Sequence, residues 1–139
     1  MDDFSLHLGY YIQEIARKTS VELNKQMKDL DLSYSQFRVI NCLMKRGDLS
    51  QKNIIEDIVV KPPTLSGLLD LLEKKSYIEK KISKYDKRIR LVGLTENGKE
   101  IWEKSWKIVM NFEKNTTDHI PSKFKKEILI YLKEMNNKI

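Results

Sequence analysis

Residues 48–94 of the chain read DLSQKNIIEDIVVKPPTLSGLLDLLEKKSYIEKKISKYDKRIRLVGL, and this stretch decides the fold. Ser50 is placed to cap a short helix, and the segment Val59–Pro62 supplies a turn after it. The next helix should run from Pro63 to Lys75, because a proline that precedes another proline is disfavoured in the helical region. Its apolar face has the i, i+3, i+4, i+7 spacing of an amphipathic helix, with Leu65, Leu68, Leu69 and Leu72.

Two short segments after this helix predict a β-hairpin. Tyr77–Ile82 and Ile89–Leu94 are rich in β-branched and aromatic residues, which favour strands. The polar segment Ser83–Arg88 lies between them and closes the hairpin. The stretch therefore predicts helix, turn, helix and then a wing.

Positive charge is concentrated at this wing. The window from Lys74 to Arg90 holds eight basic and two acidic residues, a net charge of +6. The whole chain has 26 basic and 20 acidic residues and the same net charge, so the residues outside the window sum to zero. A polyanionic partner therefore has one place to bind, and it is this window.

Helices are predicted on both sides of the central stretch. Upstream, the segment Phe4–Leu30 has apolar residues at helical spacing and predicts one long helix, which residues 31 and 32 end. Ser33 then caps a second helix, with Gln36 completing a capping box, and that helix runs to about Lys45. We therefore expect the compact unit that contains the helix–turn–helix and the wing, which we call the lobe, to begin near residue 32.

Downstream, Thr95 is the predicted N-cap of a fifth helix that runs to about Asn115, and Pro121 opens a last helix. The terminal helices offer more apolar surface than one small lobe needs, with side chains such as Trp102, Trp106, Phe112, Phe124 and Tyr131. The predicted fold class is mainly α with a small β-hairpin wing: a winged helix-turn-helix lobe plus long terminal helices.

Composition sets the remaining bounds. At 139 residues, with 40% hydrophobic and 33% charged residues, the chain is long enough for one domain with a core of its own. No apolar run approaches the roughly 18 residues of a membrane span, and the acidic N-terminus is unlike a secretory signal. The single cysteine, Cys42, excludes an internal disulfide and a cysteine-based metal site. We expect a reducing cytoplasm and no membrane association.

Enzymatic chemistry has little support in the sequence. The two histidines, His7 and His119, are far apart and join no metal-ligand or triad pattern. No glycine-rich phosphate loop is present. We therefore expect no catalytic residues, no metal and no cofactor.

The chain resembles the MarR family of winged helix-turn-helix regulators over nearly its whole length. The matching segments are LSYSQFRVINCL, LSQKNIIEDIVVKPPTLSGLLDLLEKKSYIEKK and YDKRIRLVGLTENGK, in which Asp-x-Arg, a strand and Leu-Thr-x-x-Gly form the most specific motif. The resemblance implies a homodimer whose two winged lobes bind adjacent grooves of a pseudo-palindromic site in double-stranded DNA. Residues 32–94 would be the DNA-binding lobe, and residues 1–31 and 95–139 the helical dimerisation region.

In the wing, the resemblance assigns the minor-groove arginine to Arg88 and the acid that holds it to Asp86. A guanidinium on a hairpin tip suits the narrow, negative groove, and a nearby carboxylate limits its rotamers. Lys84, Lys87 and Arg90 are expected to contact phosphates, which position a protein without specifying sequence. The alternative is a solvated turn with an ordinary surface ion pair.

The predicted helix Pro63–Lys75 would be the recognition helix. We expect DNA contacts near its start, from Lys61, Pro63, Thr64 and Ser66. The chain departs from the family at Gly67 and Leu71, where arginine is common at the first position. Neither residue can make the bidentate contact to guanine that best discriminates bases. Gly67 also costs the helix about 1 kcal/mol relative to alanine. Readout would then rest on hydroxyls, apolar contact with thymine methyls, or DNA shape.

Relatives often bind aromatic acids between the dimer helices and the DNA lobe. The residues of this chain that are placed to line such a cleft are His7, Tyr11, Tyr34 and Arg38, of which Arg38 suits a carboxylate. Core packing and surface charge explain the same residues equally well. Cys42 is interpreted as a structural thiol rather than a redox sensor, since the sensing cysteine of relatives lies in the first helix.

The leading function is a DNA-binding transcriptional regulator, a homodimeric repressor relieved by a small aromatic or anionic effector. The alternative is a winged-helix dimer that acts as a protein-interaction module with weak or non-specific DNA binding, motivated by Gly67 and Leu71. Because the charge of the wing is retained, this alternative ranks second.

Overall fold

The computed structural model describes residues 3–139, so residues 1 and 2, the start of the predicted dimerisation region, lie outside it. This part of the chain forms two compact units, one ending at Ile108 and the other comprising Val109–Ile139. It contains α1 Leu8–Gln26, α2 Tyr34–Arg46, α3 Gln51–Ile58, α4 Pro62–Lys74, β1 Ile78–Ile82, β2 Arg90–Leu94, α5 Glu96–Thr117 and α6 Ser122–Asn137. Among the residues described, no helix combines the length and apolar character needed to cross a membrane.

The prediction of one long N-terminal helix was wrong. The segment contains a 3-10 helix at Phe4–Leu6, then α1, then a second 3-10 helix at Lys28–Leu30. His7 interrupts it with extended backbone angles, φ −99° and ψ 141°. Apolar spacing missed these breaks because each 3-10 helix is a single turn of three residues, too short for its period to be told from that of an α-helix.

The helix caps confirmed the predictions for α2 and α3. The hydroxyl of Ser33 accepts from the Gln36 amide at 3.0 Å, and the Gln36 side chain accepts from the Ser33 amide at 3.2 Å. The hydroxyl of Ser50 accepts from the Asn53 amide at 3.3 Å. Both helices therefore begin at a residue whose side chain replaces the missing backbone acceptor.

Helix α4 begins at Pro62, one residue earlier than predicted, and ends at Lys74. Its first backbone hydrogen bond runs from the Leu65 amide to the Lys61 carbonyl at 3.1 Å, which makes Lys61 the N-cap. The first N–H groups of a helix have no intrahelical acceptor, so Pro62 and Pro63 lose nothing there. Proline's fixed φ also suits the first turn of a helix. Together these two factors outweigh the pre-proline restriction on which the prediction was based.

The core of the lobe lies between α2, α3, α4 and the hairpin. Three of the four predicted α4 leucines are fully buried, and Leu68 is half-buried. They share this core with fully or almost fully buried side chains of the other elements, including Val39, Ile40, Ile54, Ile78 and Val92.

The hairpin is tied to the helices at its root. β1 and β2 pair antiparallel from Ile78 opposite Leu94 to Ile82 opposite Arg90. Leu49, in the loop before α3, forms a β-bridge with Val92 of β2. Its amide donates to the Val92 carbonyl at 3.0 Å, and the Val92 amide donates back at 2.7 Å. The wing and the helix–turn–helix are therefore hydrogen-bonded to each other.

The passage from β2 to α5 explains the Leu-Thr-x-x-Gly motif. Thr95 confirms the predicted cap, since its hydroxyl accepts from the Gly98 amide at 3.0 Å, and its own amide donates to the Tyr77 carbonyl at 3.1 Å. A Cβ at Gly98 would overlap that same carbonyl oxygen and crowd the Leu94 side chain. The glycine lets α5 pass directly over the start of β1.

Candidate nucleic-acid interface

The tip of the wing, residues 83–89, is a hydrogen-bonded loop. The Ser83 amide donates to the Ile89 carbonyl at 2.9 Å, and the Ile89 amide donates to the Asp86 carbonyl at 3.0 Å. The buried Ser83 hydroxyl accepts from the amides of Tyr85 and Asp86, at 3.2 and 3.4 Å. These hydrogen bonds fix the backbone at the tip, so the exposed side chains of the tip project from a loop of defined conformation.

Asp86 and Arg88 form a bidentate pair at this tip. One Asp86 oxygen, Oδ1, accepts from the Arg88 amide at 3.0 Å and from Nε at 3.1 Å, and the other, Oδ2, accepts from Nη2 at 3.1 Å. These hydrogen bonds hold the pKa of the Asp86 carboxyl below its usual range. The Arg88 side chain is 91% exposed, so the pair contributes little to folding. Its effect is to restrict the guanidinium to one direction.

Ion pairing divides the positive charge of the window into two groups. Lys80 is paired with Asp70 and Glu73 at 3.4 and 3.7 Å, and Lys81 with Asp48 and Glu79 at 3.0 and 3.5 Å. Within residues 3–139 no salt bridge is formed by three exposed cations of the window's distal part, Lys84, Lys87 and Arg90. Lys74 at the end of α4 also forms no salt bridge within these residues, so most of the unbalanced charge, but not all of it, lies around the tip.

Helix α4 places the four predicted contact residues at its exposed N-terminal end: Lys61, Pro63, Thr64 and Ser66 are all exposed. The exposed side continues through Gly67 and Leu71, the latter 46% exposed. Asp70 on this side is held by Lys80 of β1, so its charge is partly balanced. The helix therefore offers hydroxyl and apolar groups, and no arginine, to a partner.

A separate cavity of about 390 Å³ lies between α2 and the end of α3. Its lining includes two of the four predicted effector residues, Tyr34 and Arg38. The other two are not part of it: His7 packs against Phe4 with ring centroids 5.6 Å apart, and Tyr11 against Tyr10 at 5.1 Å. The structure therefore brings together only half of the predicted set.

Sequence reasoning missed the polar wall of this cavity. Arg46 pairs with Asp57 at 2.7 Å, and the Cys42 thiol donates to the same Asp57 oxygen at 3.2 Å. Arg38 donates from Nη2 to the Ile58 carbonyl at 2.8 Å. A signal was present on α2, because Tyr34, Arg38, Cys42 and Arg46 are spaced four apart and share one helix face. Asp57 had no such signal, since it reaches the cavity from another helix.

The thiol of Cys42 should be unreactive in the folded protein. Burial and the hydrogen bond to Asp57 raise the pKa of Cys42 from 9.0 to about 11. At pH 8 the thiolate fraction is then about 100-fold lower than for an ordinary thiol. Alkylation by iodoacetamide, followed by mass spectrometry, should be slower by at least this factor in the folded than in the denaturant-unfolded chain.

The same shift has a consequence for stability. The folded state binds the thiol proton more tightly than the unfolded state, so the protonated Cys42 thiol contributes to the free energy of unfolding. This contribution is complete below pH 9 and is lost as pH rises towards 11. Rapid alkylation of the folded chain at pH 8 would contradict the assignment of Cys42 as a structural thiol.

Comparison with known proteins identifies the family to which the wing and the helix–turn–helix belong. The MarR family profile matches residues 32–89. YwoH of Bacillus subtilis, an uncharacterized HTH-type transcriptional regulator, is 30% identical over 107 residues, which are 77% of this chain and 77% of YwoH. The chain belongs to the MarR family. The resemblance noted from the sequence is thereby confirmed, and this MarR-family chain is a transcriptional regulator.

Solved structures show that the MarR fold extends over almost the whole chain. A MarR/EmrR family transcriptional regulator from Acinetobacter sp. ADP1 has 25% identity and a TM-score of 0.89, covering 99% of this chain and 97% of that one. Mutant MarR from E. coli complexed with operator DNA has 24% identity and a TM-score of 0.82, covering 97% and 99%. The predicted fold class, mainly α with a two-stranded wing, is confirmed.

Proposed function

We propose that this MarR-family protein regulates transcription as a homodimer that binds a pseudo-palindromic site in double-stranded DNA. The observation that carries the proposal is Arg88, held by Asp86 at the tip of the wing and exposed to solvent. A directed guanidinium, surrounded by cations that form no salt bridge within residues 3–139, matches the narrow, negative minor groove. Lys84, Lys87 and Arg90 then contact the flanking phosphates.

Helix α4 is assigned to the major groove, where its exposed N-terminal end meets base edges. Thr64 and Ser66 supply hydroxyls, and Leu71 supplies an apolar contact suited to a thymine methyl. Without an arginine on this side, base discrimination is modest and binding strength depends mainly on the wing. E. coli MarR, which shares the fold, is the precedent for binding operator DNA.

The homodimer is supported by exposed apolar side chains in each unit. In the first unit, Leu8 is 80% exposed and Ile15 61% exposed. In the unit Val109–Ile139, α6 has no buried residue and leaves a row of apolar side chains exposed, namely Phe124, Ile128, Leu129, Leu132 and Met135. Surfaces of this kind mark interfaces, and two-fold dimers are the commonest assembly. We assign residues 1–31 and 95–139 to dimerisation.

Repression relieved by a small aromatic or anionic effector is proposed for the α2–α3 cavity. Arg38 in its wall holds the Ile58 carbonyl, and the next residue, Val59, has a left-handed backbone with φ 49° in the turn before α4. An anion bound to Arg38 competes with that carbonyl and so acts on the turn that positions α4. We infer cytoplasmic action and no catalytic role.

The test is a binding titration against the DNA immediately upstream of the protein's own coding region, with random duplex as control, at about 50 and 200 mM salt. Preference for the upstream DNA, with affinity falling steeply as salt rises, is expected. Equal binding to both would call for selection from a random DNA library. If that returned no sequence, Gly67 and Leu71 would mark a protein-interaction module instead.

A further inference from the structure

One aromatic side chain at the wing tip has no role in the fold. Tyr85 is 99% exposed, and within the described chain its side chain makes no hydrogen bond. Its backbone is nevertheless fixed, because its amide donates to the buried hydroxyl of Ser83 at 3.2 Å. A single exposed apolar residue is ordinary on a protein surface. Tyr85 differs from such a residue, because its large ring projects from a hydrogen-bonded loop that also orients Arg88. Its position is therefore defined well enough to contact a partner.

The neighbours of this ring indicate what it contacts. Ile82, at the end of β1, is 65% exposed and Ile89 is 44% exposed, so with Tyr85 three exposed apolar side chains lie in the tip or directly beside it. They alternate along the chain with Lys84, Lys87 and Arg88. The DNA backbone has a matching alternation, since charged phosphates are separated by deoxyribose, whose faces are apolar and form the walls of the minor groove. The excess of cations around the ring suits the polyanionic DNA backbone.

We propose that Tyr85 is a DNA-contacting residue whose ring packs against the deoxyribose wall of the groove that Arg88 enters. The inference rests on the proposed function and adds to it a contact that is not ionic. Burying an aromatic ring strengthens binding through apolar area. Cationic side chains, in contrast, strengthen it by releasing counterions, which makes their contribution depend on salt.

This difference gives the contact its own signature. Removing a phosphate-binding lysine lowers the slope of log affinity against log salt by about one for each wing engaged. Removing an apolar contact lowers affinity by the same factor at every salt concentration. Neighbouring residues of one loop can therefore be separated by one series of titrations.

The experiment compares four full-length proteins on one random duplex between about 50 and 200 mM salt: wild type, Tyr85→Ala, Tyr85→Phe and Lys84→Met. Tyr85→Ala should bind about tenfold more weakly for each wing engaged, at each concentration and with the wild-type slope, since half of one ring's transfer energy corresponds to about that factor. Tyr85→Phe, which keeps the ring, should stay within about twofold of wild type. Lys84→Met should lower the slope.

Three outcomes would overturn the inference, and they are distinguishable. Wild type that binds no DNA, specific or random, removes the proposed function and this contact together. Wild type that binds while Tyr85→Ala binds equally well removes only the contact. A lowered slope for Tyr85→Ala shows that the ring acts by positioning a cation. Unfolding midpoints should be equal for all four proteins, because the Tyr85 and Lys84 side chains are exposed.

Discussion

Replacing Arg88 with alanine is expected to weaken binding to operator and to random duplex alike, by about 10- to 100-fold. In the proposed complex the guanidinium enters the minor groove, whose base edges are nearly degenerate, so its loss should remove strength rather than choice of sequence. Asp86 holds the guanidinium through two hydrogen bonds, from Nε and Nη2, of 3.1 Å each, so less side-chain entropy is lost on binding. A homodimer loses this contact at both wings.

The measurement is a pair of titrations, on specific and on random duplex, at two salt concentrations. Arg17→Ala is the matched control, because Arg17 is an exposed arginine on α1, far in sequence from the wing, and is also paired with a carboxylate, Glu14. It removes the same charge and, because Arg17 lies in the proposed dimerisation region, gel filtration must first show that the variant is dimeric like wild type; its affinity should then be nearly unchanged. Unchanged affinity of Arg88→Ala on both duplexes would remove Arg88 from the interface. Arg88→Lys should recover only part, since lysine lacks the planar fork.

Replacing Gly98 with alanine should have the largest effect on folding. A Cβ there overlaps the Tyr77 carbonyl oxygen, which is backbone and cannot turn away, and it crowds the Leu94 side chain. That carbonyl already accepts from the Thr95 amide, so moving it also strains the cap of α5. Overpacking of this kind lowers the free energy of unfolding by about 2–3 kcal/mol.

Gly67→Ala is the matched control for this prediction. Gly67 also lies in a helix, but a Cβ there would meet nothing within 4 Å. Alanine should therefore raise the free energy of unfolding by about 1 kcal/mol through helix propensity. Urea unfolding followed by circular dichroism, at equal protein concentration because of the proposed dimer, measures both. Equal effects of the two changes would contradict the close packing at Gly98.

The elements that could be predicted from sequence are those fixed by neighbours along the chain. The caps at Ser33 and Ser50 depend on residues three positions away, and both were found as expected. The buried face of α4 follows from helical spacing alone. Predictions failed where two local rules competed, as at Pro62, or where a single residue with extended backbone interrupts a helical run, as at His7.

The candidate sites show the same division. The directed pair of Asp86 and Arg88 involves residues two apart, so the motif was visible in sequence. The pairing of Lys81 with Asp48 was not, because it depends on how the hairpin returns to the loop before α3. Asp57 was also missed, because it reaches the α2–α3 cavity from a different helix than the residues it pairs with. Charge counted in a window of sequence therefore overstates how much of it is free.

The bridge between Leu49 and Val92 has a consequence for operator architecture. Hydrogen bonds of 3.0 and 2.7 Å join the base of the wing to the segment that begins the helix–turn–helix. In the proposed complex, these bonds limit how far the wing, in the minor groove, can move relative to the helix–turn–helix, in the major groove. We therefore expect each half-site to present its two contact regions at one fixed number of base pairs, and any tolerance for different operators to come from the spacing between half-sites.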